Sequence, residues 1–446
     1  MWNAFSDLFP RTSPHALRTL WREDRAGFWY AALFWTFWLS LASFPIGYGA
    51  REVLPPLCAI FLFCYYRHAW SRSVWRRLTL RPLFYCLWAM IALGVLFSGD
   101  MLSSLLHAGT GINKGFILPI IGMECVRDGR DLRRLVAACI VACFWEGMDG
   151  IWQAWTGYDF IMNYPLNSGR LTGSLGDYSV GNYIALAIIP ALGGWHMLRR
   201  HAGPAKSLAV CAVLLAPAFF LLQGASSRSG ILAVASAFGF WWLLSRQRLN
   251  ILPLAGGAGV MLGYAFLQAS RLDPETVAND GRWSLWELGW KVFCEHPFFG
   301  AGAGQYNAAF RELGLAPARD AITISHPHNL YLDILYAHGI VGFLLGMAFL
   351  AGFAWWGYVR IRRQLALRPR DDGGRLYWAL AGWFWVGYMG WLVNGIFGHD
   401  FYRIWWLALA MTYLGIFIGA IVNGEDPPAA RALPSGEGRG GSDAAE

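Results

Sequence analysis

The sequence predicts an all-α polytopic integral membrane protein with about twelve transmembrane helices and one large outer loop. Of its 446 residues, 56% are hydrophobic and only 14% are charged, whereas soluble domains carry roughly 25% charged residues. The apolar residues form long runs, and a spanning helix needs about 20 of them. Basic residues are concentrated in every second segment between these runs. Together these observations exclude an ordinary soluble enzyme.

Twelve apolar runs are candidates for the spans. They lie near residues 28–45, 52–66, 82–98, 104–125, 134–156, 180–198, 207–223, 230–245, 250–268, 329–358, 376–396 and 403–423. The expected organisation is a cytoplasmic segment 1–27, nine helices within 28–268, an outer loop 269–328, three helices within 329–423 and a tail 424–446. The tail is rich in Gly, Pro, Ala and charge, a composition typical of disorder.

The basic residues also predict the orientation of the chain. One set of alternate loops, with Arg134 at a span boundary, holds 26 of the 36 Lys and Arg residues, and the opposite face with the span interiors holds 10. Because cytoplasmic loops carry the excess of positive charge, both termini are expected in the cytoplasm. The net charge of +8 is thereby explained by topology, and we expect no nucleic-acid partner.

The outer loop 269–328 is long enough for a small subdomain. Within it, RWSLWELGWKVF (282–293) spaces Trp, Leu and Val residues at helical intervals, with Arg282, Glu287 and Lys291 off that stripe. This pattern predicts an amphipathic helix lying on the membrane surface. A second outer segment, 157–179, is shorter and polar.

Three arginines lie on the outer face, where positive charge is otherwise scarce: Arg170 in SGRLTGSLGD, Arg228 in GASSRSGI and Arg282 in NDGRWSLW. A guanidinium is always charged, and its planar fork matches two phosphate oxygens. Converging arginines would bind a lipid diphosphate. The alternative for each is interfacial snorkelling or a salt bridge, with Asp177, Asp280 or Glu287 as candidate partners.

Two histidines precede the tenth span, in SHPHNLYLDILYAHGIVGFLLG (325–346). Pro327 cannot extend a helix backwards, so the span is expected to begin at about His328 or Asn329. His326 and His328 then lie at the outer mouth. With an ordinary pKa of about 6.5, such a histidine can accept a proton at neutral pH.

The glycines that follow carry a spacing signal. Gly339 lies eleven positions after His328, about three helical turns, which predicts a shared face with Gly342 and Gly346. Glycines on one face allow a neighbouring helix to approach closely. Two other interpretations of the histidines stay open. They could bind Zn²⁺ together with Asp320 or Asp333, or they could cap the helix. His338 and His399 fit packing roles better.

Ionisable residues inside apolar runs indicate the main non-enzymatic alternative. Lys114, Glu124, Glu146 and Asp149 fall within spans, where such groups are functional candidates. Proton or ion transport would require a string of them across the bundle, and they form none. The sequence also lacks an Asp-x-Asp pair for Mg²⁺. We therefore expect no metal cofactor and arginines in its place.

At this point the sequence resembles the bacterial O-antigen ligase family, which is related to O-antigen polymerases and O-linked oligosaccharyltransferases. The motif is His-Asn, nine residues, then Gly-x-x-Gly, here His328-Asn329 followed by Gly339 and Gly342. The Ser-Ser-Arg-Ser-Gly stretch around Arg228 and the Arg-x-x-x-Trp start of the loop helix are similar too. The resemblance implies a GT-C-like architecture.

The resemblance also implies an activity. The family's enzymes move O-antigen polysaccharide from undecaprenyl diphosphate to lipid A–core, at the periplasmic face of the inner membrane and without a metal or a nucleotide. His328 would be the general base, with His326 as a possible helper. Arg228 and Arg282, with Arg170, would bind the donor diphosphate, and direct attack would invert the anomeric centre. A polymerase or oligosaccharyltransferase with the same donor, or a lipid-linked glycan transporter, is the alternative.

Overall fold

The computed structural model describes residues 21–44, 47–111, 115–177, 179–245, 252–267, 281–312, 314, 326–367 and 372–425. Lys114, Asp280 and Asp320, which the sequence raised as candidate ions or ligands, lie outside the described residues. The part of the expected tail 424–446 that follows residue 425 also lies outside the described residues.

The described residues form helices, two short 3₁₀ turns and two isolated β-bridges, and they contain no β-strand. The helices are α1 Arg25–Ala42, α2 Gly47–Ala69, α3 Val74–Arg77, α4 Arg81–Leu96, α5 Met101–Gly111, α6 Leu118–Glu124, α7 Gly129–Thr156, α8 Val180–Ala191, α9 Gly194–Leu198, α10 Pro204–Gly224, α11 Arg228–Ser245, α12 Leu252–Leu267, α13 Arg282–Glu295, α14 Tyr306–Glu312, α15 Leu330–Ala366, α16 Asp372–Asn394 and α17 Ile404–Glu425.

The all-α membrane protein expected from the sequence is confirmed. Among the described residues, five helices, α7, α10, α11, α15 and α17, are long and apolar enough to cross a membrane. Two expected spans are interrupted. The run near 104–125 contains α5 and α6, and the run near 180–198 contains α8 and α9. The total of twelve spans stays a prediction.

The centre of the bundle is built from helices that are apolar on all sides. All residues of α8 and most residues of α16 and α17 are buried, as expected for helices surrounded by other helices. Helix α10 packs on α7, α17 on α6, and α15 on α4. Helix α8 contacts α7, α10, α11 and α16. It therefore lies among four helices, one of which, α11, begins with Arg228.

Polar side chains on α7 hold the segment 157–177 against the bundle. The Glu146 carboxylate accepts hydrogen bonds from the Ser174 backbone N–H (3.0 Å) and hydroxyl (2.7 Å). One turn further along, Asp149 accepts from the Phe160 N–H (2.7 Å). Glu146 and Asp149 therefore bind the outer segment, which explains why ionisable residues occur within this apolar helix.

Gln153 completes this row one turn after Asp149. Its side-chain oxygen accepts from the backbone N–H groups of Thr172 (2.9 Å) and Gly173 (3.0 Å). Its side-chain amide donates to the Thr172 hydroxyl (2.7 Å) and to the Tyr164 carbonyl (3.0 Å). Since buried polar groups need partners, this row fixes the course of the segment 157–177 over the end of α7.

Helix α15 is not continuous. Gly339 has φ 63° and ψ −169°, a combination that is essentially restricted to glycine. The break divides α15 into an outer half-helix, Leu330–His338, and a longer remainder. The three-turn face predicted from His328 to Gly339 is therefore wrong, because His328 precedes the helix and Gly339 interrupts it.

Candidate functional site

Arg228 is the first residue of α11, and the turn before it is unusual. Ser226 has φ 54°, a left-handed conformation that few residues other than glycine adopt. The Ser227 hydroxyl then accepts a hydrogen bond from the Gly230 N–H (3.1 Å), the contact of a helix N-cap. The Ser-Ser-Arg-Ser-Gly stretch thus starts α11 abruptly and leaves Arg228 at the mouth of the bundle.

A buried asparagine fixes this turn. The Asn182 side-chain oxygen, on α8, accepts hydrogen bonds from the hydroxyls of Ser227 and Ser229 (2.7 Å for Ser229). It also accepts from the Asn394 side-chain amide (3.3 Å), while the Asn182 amide donates to the Gly398 carbonyl (3.5 Å). Asn182 therefore joins the start of α11 to the end of α16. Sequence reasoning missed it, because a single Asn in an apolar run gives no spacing signal.

Arg282 is the first residue of α13, so the predicted loop helix is present. Most of its apolar stripe faces the protein, although Trp283 is half exposed. Leu285, Leu288 and Val292 pack in a cluster with Tyr306, Tyr336 and Ala337, and Trp286 stacks on Phe397 at 5.6 Å between ring centroids. These contacts bury part of the stripe, and the location of the helix on the membrane surface stays a prediction.

Arg228 and Arg282 line the same cavity, which holds about 230 Å³. Its other walls are mostly apolar: Ser229, Ile231, Leu232, Met261, Tyr264, Trp283, Trp286 and Phe397. Two helices, α11 and α13, begin at this cavity, and the N-terminal end of a helix favours an anion. Two fixed positive charges in apolar surroundings make the cavity suited to an anionic group attached to an apolar chain.

Arg170 is not among the residues that line this cavity. It lies in the segment 157–177, where its backbone pairs with that of Asn167 (3.0 and 3.1 Å). The next residue, Leu171, donates its N–H to the Gly224 carbonyl (3.1 Å). Arg170 therefore lies beside the end of α10, close in the chain to the turn that precedes Arg228.

His326 and His328 lie together just before α15, with ring centroids 4.2 Å apart. His328 has φ 54°, a strained value for a histidine, and such strain concentrates at functional sites. Asn329 is the N-cap of α15, since its side chain accepts from the N–H groups of Tyr331 and Leu332 (both 3.0 Å). The helix begins at Leu330, and the histidines precede it rather than cap it.

Both histidines are neutral at physiological pH. Burial lowers the pKa of His328 to about 3, and the neighbouring His326 and the positive charge of Arg282 lower it further. Burial also lowers the pKa of His326, while the carboxylate of Asp400 opposes this shift. From the sequence alone, a His328 pKa near the ordinary value of about 6.5 is expected. The lower value follows from its burial and from its position beside Arg282.

The turn between α16 and α17 closes the site from the opposite side. Asp400 and Arg403 act electrostatically on His326 and His328. The Phe401 N–H donates to the buried Asp333 carboxylate on α15 (3.0 Å), so that this turn is fixed to the outer half-helix. Sequence reasoning gave Asp400 no role, although a charged turn between two expected spans was a usable signal.

Other candidates from the sequence have packing contacts. His399 is stacked between Trp391 and Trp406, at 5.4 and 6.3 Å, and burial lowers its pKa to about 4. His338 is fully buried, and its Nε2 lies 2.9 Å from the Tyr402 hydroxyl. A Cβ at Gly342 would meet the His338 side chain and Met90 of α4.

Comparison with known proteins agrees with this geometry. A family model described as O-antigen ligase matches residues 210–347, the stretch that contains Arg228, Arg282 and His328. Residues 210–347 are thus similar to the O-antigen ligase family. An O-antigen ligase from Pseudomonas aeruginosa is 30% identical over 143 residues, which are 30% of this chain and 32% of that protein. The chain thus aligns with about a third of the length of this curated relative.

The ligase-family segment does not include every residue of the site. Arg170, Asn182 and Asp400 lie outside it. Within the part of the chain that the structure describes, no group of three or more His, Cys, Asp or Glu side chains is arranged to hold a metal ion. Asp333, one of the two ligands considered for Zn²⁺, accepts instead from the Phe401 N–H.

Proposed function

We propose that this protein is a glycosyltransferase that moves a glycan from undecaprenyl diphosphate to a sugar hydroxyl of lipid A–core. The observation that carries the proposal is the cavity shared by Arg228 and Arg282, next to a neutral His328 on which the Arg282 charge acts. The ligase-family match over residues 210–347 supports the donor and acceptor classes. We further propose twelve spans, cytoplasmic termini and a site on the periplasmic face of the inner membrane.

In this mechanism the two arginines bind the donor diphosphate. Each guanidinium can pair with two phosphate oxygens, and the apolar walls strengthen these interactions because they exclude water. The apolar side of the cavity would take the first isoprene units. Arg170 would contact the donor from the segment 157–177. The positive charge that stabilises the leaving diphosphate comes from these arginines, and we propose that no metal ion is needed.

His328 would act as the general base. A ring nitrogen of the neutral imidazole accepts the proton of the acceptor hydroxyl while the oxygen attacks the anomeric carbon. The new glycosidic bond forms as the bond from the anomeric carbon to the phosphate oxygen breaks, and undecaprenyl diphosphate leaves with that electron pair. Attack opposite the leaving group inverts the centre. The diphosphate offsets the Arg282 charge, so donor binding should raise the pKa of His328 toward a useful range.

His326 would assist by contact with His328, since their rings lie 4.2 Å apart.

No nucleotide is required, because the polyprenyl diphosphate bond supplies the driving force. Both substrates are anchored in the membrane by their lipids, and this confinement replaces part of the entropy cost of bringing them together.

The test is transfer by the purified protein with undecaprenyl-diphosphate-linked glycan and lipid A–core, in EDTA, for wild type and His328→Ala. We expect transfer by the wild type only. Glycan that lengthens on its carrier would instead identify a polymerase, and transfer to a protein acceptor an oligosaccharyltransferase. A requirement for Zn²⁺ would overturn the metal-free mechanism. Equal transfer by both proteins would show that His328 is not the base.

A further inference from the structure

The break in α15 is filled by the backbone of another segment, Pro297–Gly302. Ile340 and Val341, just after the break, donate their N–H groups to the carbonyls of Pro297 (2.8 Å) and Phe298 (3.2 Å). In the opposite direction, the N–H groups of Ala301 and Gly302 donate to the carbonyls of Tyr336 (2.9 Å) and Ala337 (3.0 Å). Backbone groups released by the break are thus paired again, as groups buried from water must be.

Glycine is required on both sides of this pairing. A Cβ at Gly339 would collide with the backbone of Phe298, and a Cβ at Gly300 would collide with the backbone of Ala337 and His338. Both glycines also have positive φ values, 63° and 77°. Backbone atoms cannot move aside as a flexible side chain can, so an alanine at either position must displace one segment from the other.

The paired segment is also fixed from outside. The Ser104 hydroxyl donates to the Ala303 carbonyl (3.0 Å), and the Ser98 hydroxyl lies 2.7 Å from that of Ser104. The Phe299 ring stacks on Phe97 at 4.0 Å. The segment 297–303 is therefore held between the turn that joins α4 to α5 and the break in α15.

The outer half-helix begins just after His328 and packs against the helix that begins with Arg282. On one side it packs against α13, where a Cβ at Gly289 would meet Leu332 and Val292 shares a buried cluster with Tyr336. Its first N–H, that of Leu330, donates to the Gly395 carbonyl (2.7 Å) beside the end of α16. His328 precedes this half-helix, and Arg282 begins α13. The location of the half-helix therefore sets the position of both functional side chains.

We propose that the pairing of Pro297–Gly302 with the broken helix is a positioning device, in which Gly300 and Gly339 are positioning residues that hold His328 and Arg282 opposite Arg228. This rests on the proposed function, since it concerns the same site. A continuous α15 would extend from Leu330 without the change of direction at Gly339, and would carry His328 away from the cavity.

The kinetic test uses Gly339→Ala, Gly300→Ala and the double variant in nanodiscs, with rates at saturating donor and acceptor expressed per folded molecule. We expect each single variant to transfer at least tenfold more slowly. The double variant should be no worse than the slower single variant within about twofold, because both disrupt one pairing. Gly314→Ala is the matched control: Gly314 also has a positive φ, 65°, but open space around it. It should stay within threefold of wild type.

Hydrogen exchange gives a readout that does not need activity. In Gly339→Ala, amides of α13, of 297–302 and of the outer half-helix should exchange faster together, while α16 is unchanged. If Gly339→Ala does not fold, the double variant Ser98→Ala, Ser104→Ala is used in its place. We expect this serine variant to show the same exchange pattern and to transfer at least threefold more slowly.

Several results would overturn the positioning role. In the transfer assay, these are a normal rate for folded Gly339→Ala, or a double variant in which the losses of the two single variants multiply. In hydrogen exchange, they are faster exchange only at residue 339 and its neighbours, or faster exchange in the serine variant while its transfer rate is unchanged. The proposed function fails separately, if the wild type does not transfer or if His328→Ala transfers equally.

Discussion

Replacement of Arg228 by lysine tests the diphosphate cavity most directly. The substitution keeps the positive charge and most of the length of the side chain, but it removes the planar fork. Arg228 begins α11 and shares its cavity with Arg282, so the lysine ammonium can still approach an anion there. It cannot hold two phosphate oxygens in the fixed geometry that a guanidinium provides.

The magnitude follows from the number of hydrogen bonds lost. A hydrogen bond to a charged group contributes about 1.5–3 kcal/mol, and the lysine variant loses one of two. Since about 1.4 kcal/mol corresponds to a factor of ten in rate, kcat/KM for the donor should fall by about 10- to 100-fold. The mostly apolar walls favour the upper part of this range, because little water can replace the missing donor.

The assay is transfer from undecaprenyl-diphosphate-linked glycan at limiting donor and saturating acceptor, with the fraction of folded protein measured alongside. Arg311→Lys is the matched control, because Arg311 is an exposed residue of α14 that does not line the cavity. It should stay within twofold of wild type. If Arg228→Lys also stays within threefold, two-oxygen recognition by Arg228 is refuted, and its charge alone is what the site uses.

Four further predictions follow from the same geometry. Since the pKa of His328 in the free protein is lowered to about 3, kcat/KM should show no acid limb between about pH 7 and 5, and a limb near pH 6.5 would contradict this. For the same reason the unfolded chain gains a proton at His328 that the folded chain lacks; thermal stability should therefore fall as the pH drops from about 6.5 to 4, less so in His328→Asn. Asn182→Ala removes the acceptor of three hydrogen bonds and should destabilise the protein by about 1–3 kcal/mol, seen as a lower thermal midpoint; an unchanged midpoint would contradict its anchoring role. Arg170→Lys should slow transfer less than Arg228→Lys, and a larger effect would put Arg170 in the diphosphate contact itself.

Much of the fold could be predicted because hydropathy and charge act over whole segments. The helical spacing of 282–293 correctly predicted a helix, here Arg282–Glu295. It could not reveal what the apolar stripe contacts, because a stripe facing lipid and a stripe facing protein have the same sequence pattern. The stripe packs on Tyr306 and Tyr336, and that contact depends on chain folding between distant segments.

The site was predictable in part for a similar reason. Scarce outer arginines pointed to Arg228 and Arg282, which do share a cavity. Periodicity predicted a continuous helix through Gly339, since a count of residues contains no information on φ. Asn182 was not found at all, because its role depends on partners in α11 and α16 that are far away in the chain.

The polar row on α7 has a consequence for the way the chain enters the membrane. An isolated helix that carries Glu146, Asp149 and Gln153 inserts at a cost, because lipid offers no partner for these groups. Their hydrogen-bonding partners, however, lie within the next 28 residues, up to Ser174. These groups can therefore be satisfied as soon as the following segment leaves the insertion machinery, before any later helix is made. A long insertion near residue 167 would place more chain between α7 and its partners. We expect it to slow insertion and folding of the protein, and not the transfer rate of the folded protein.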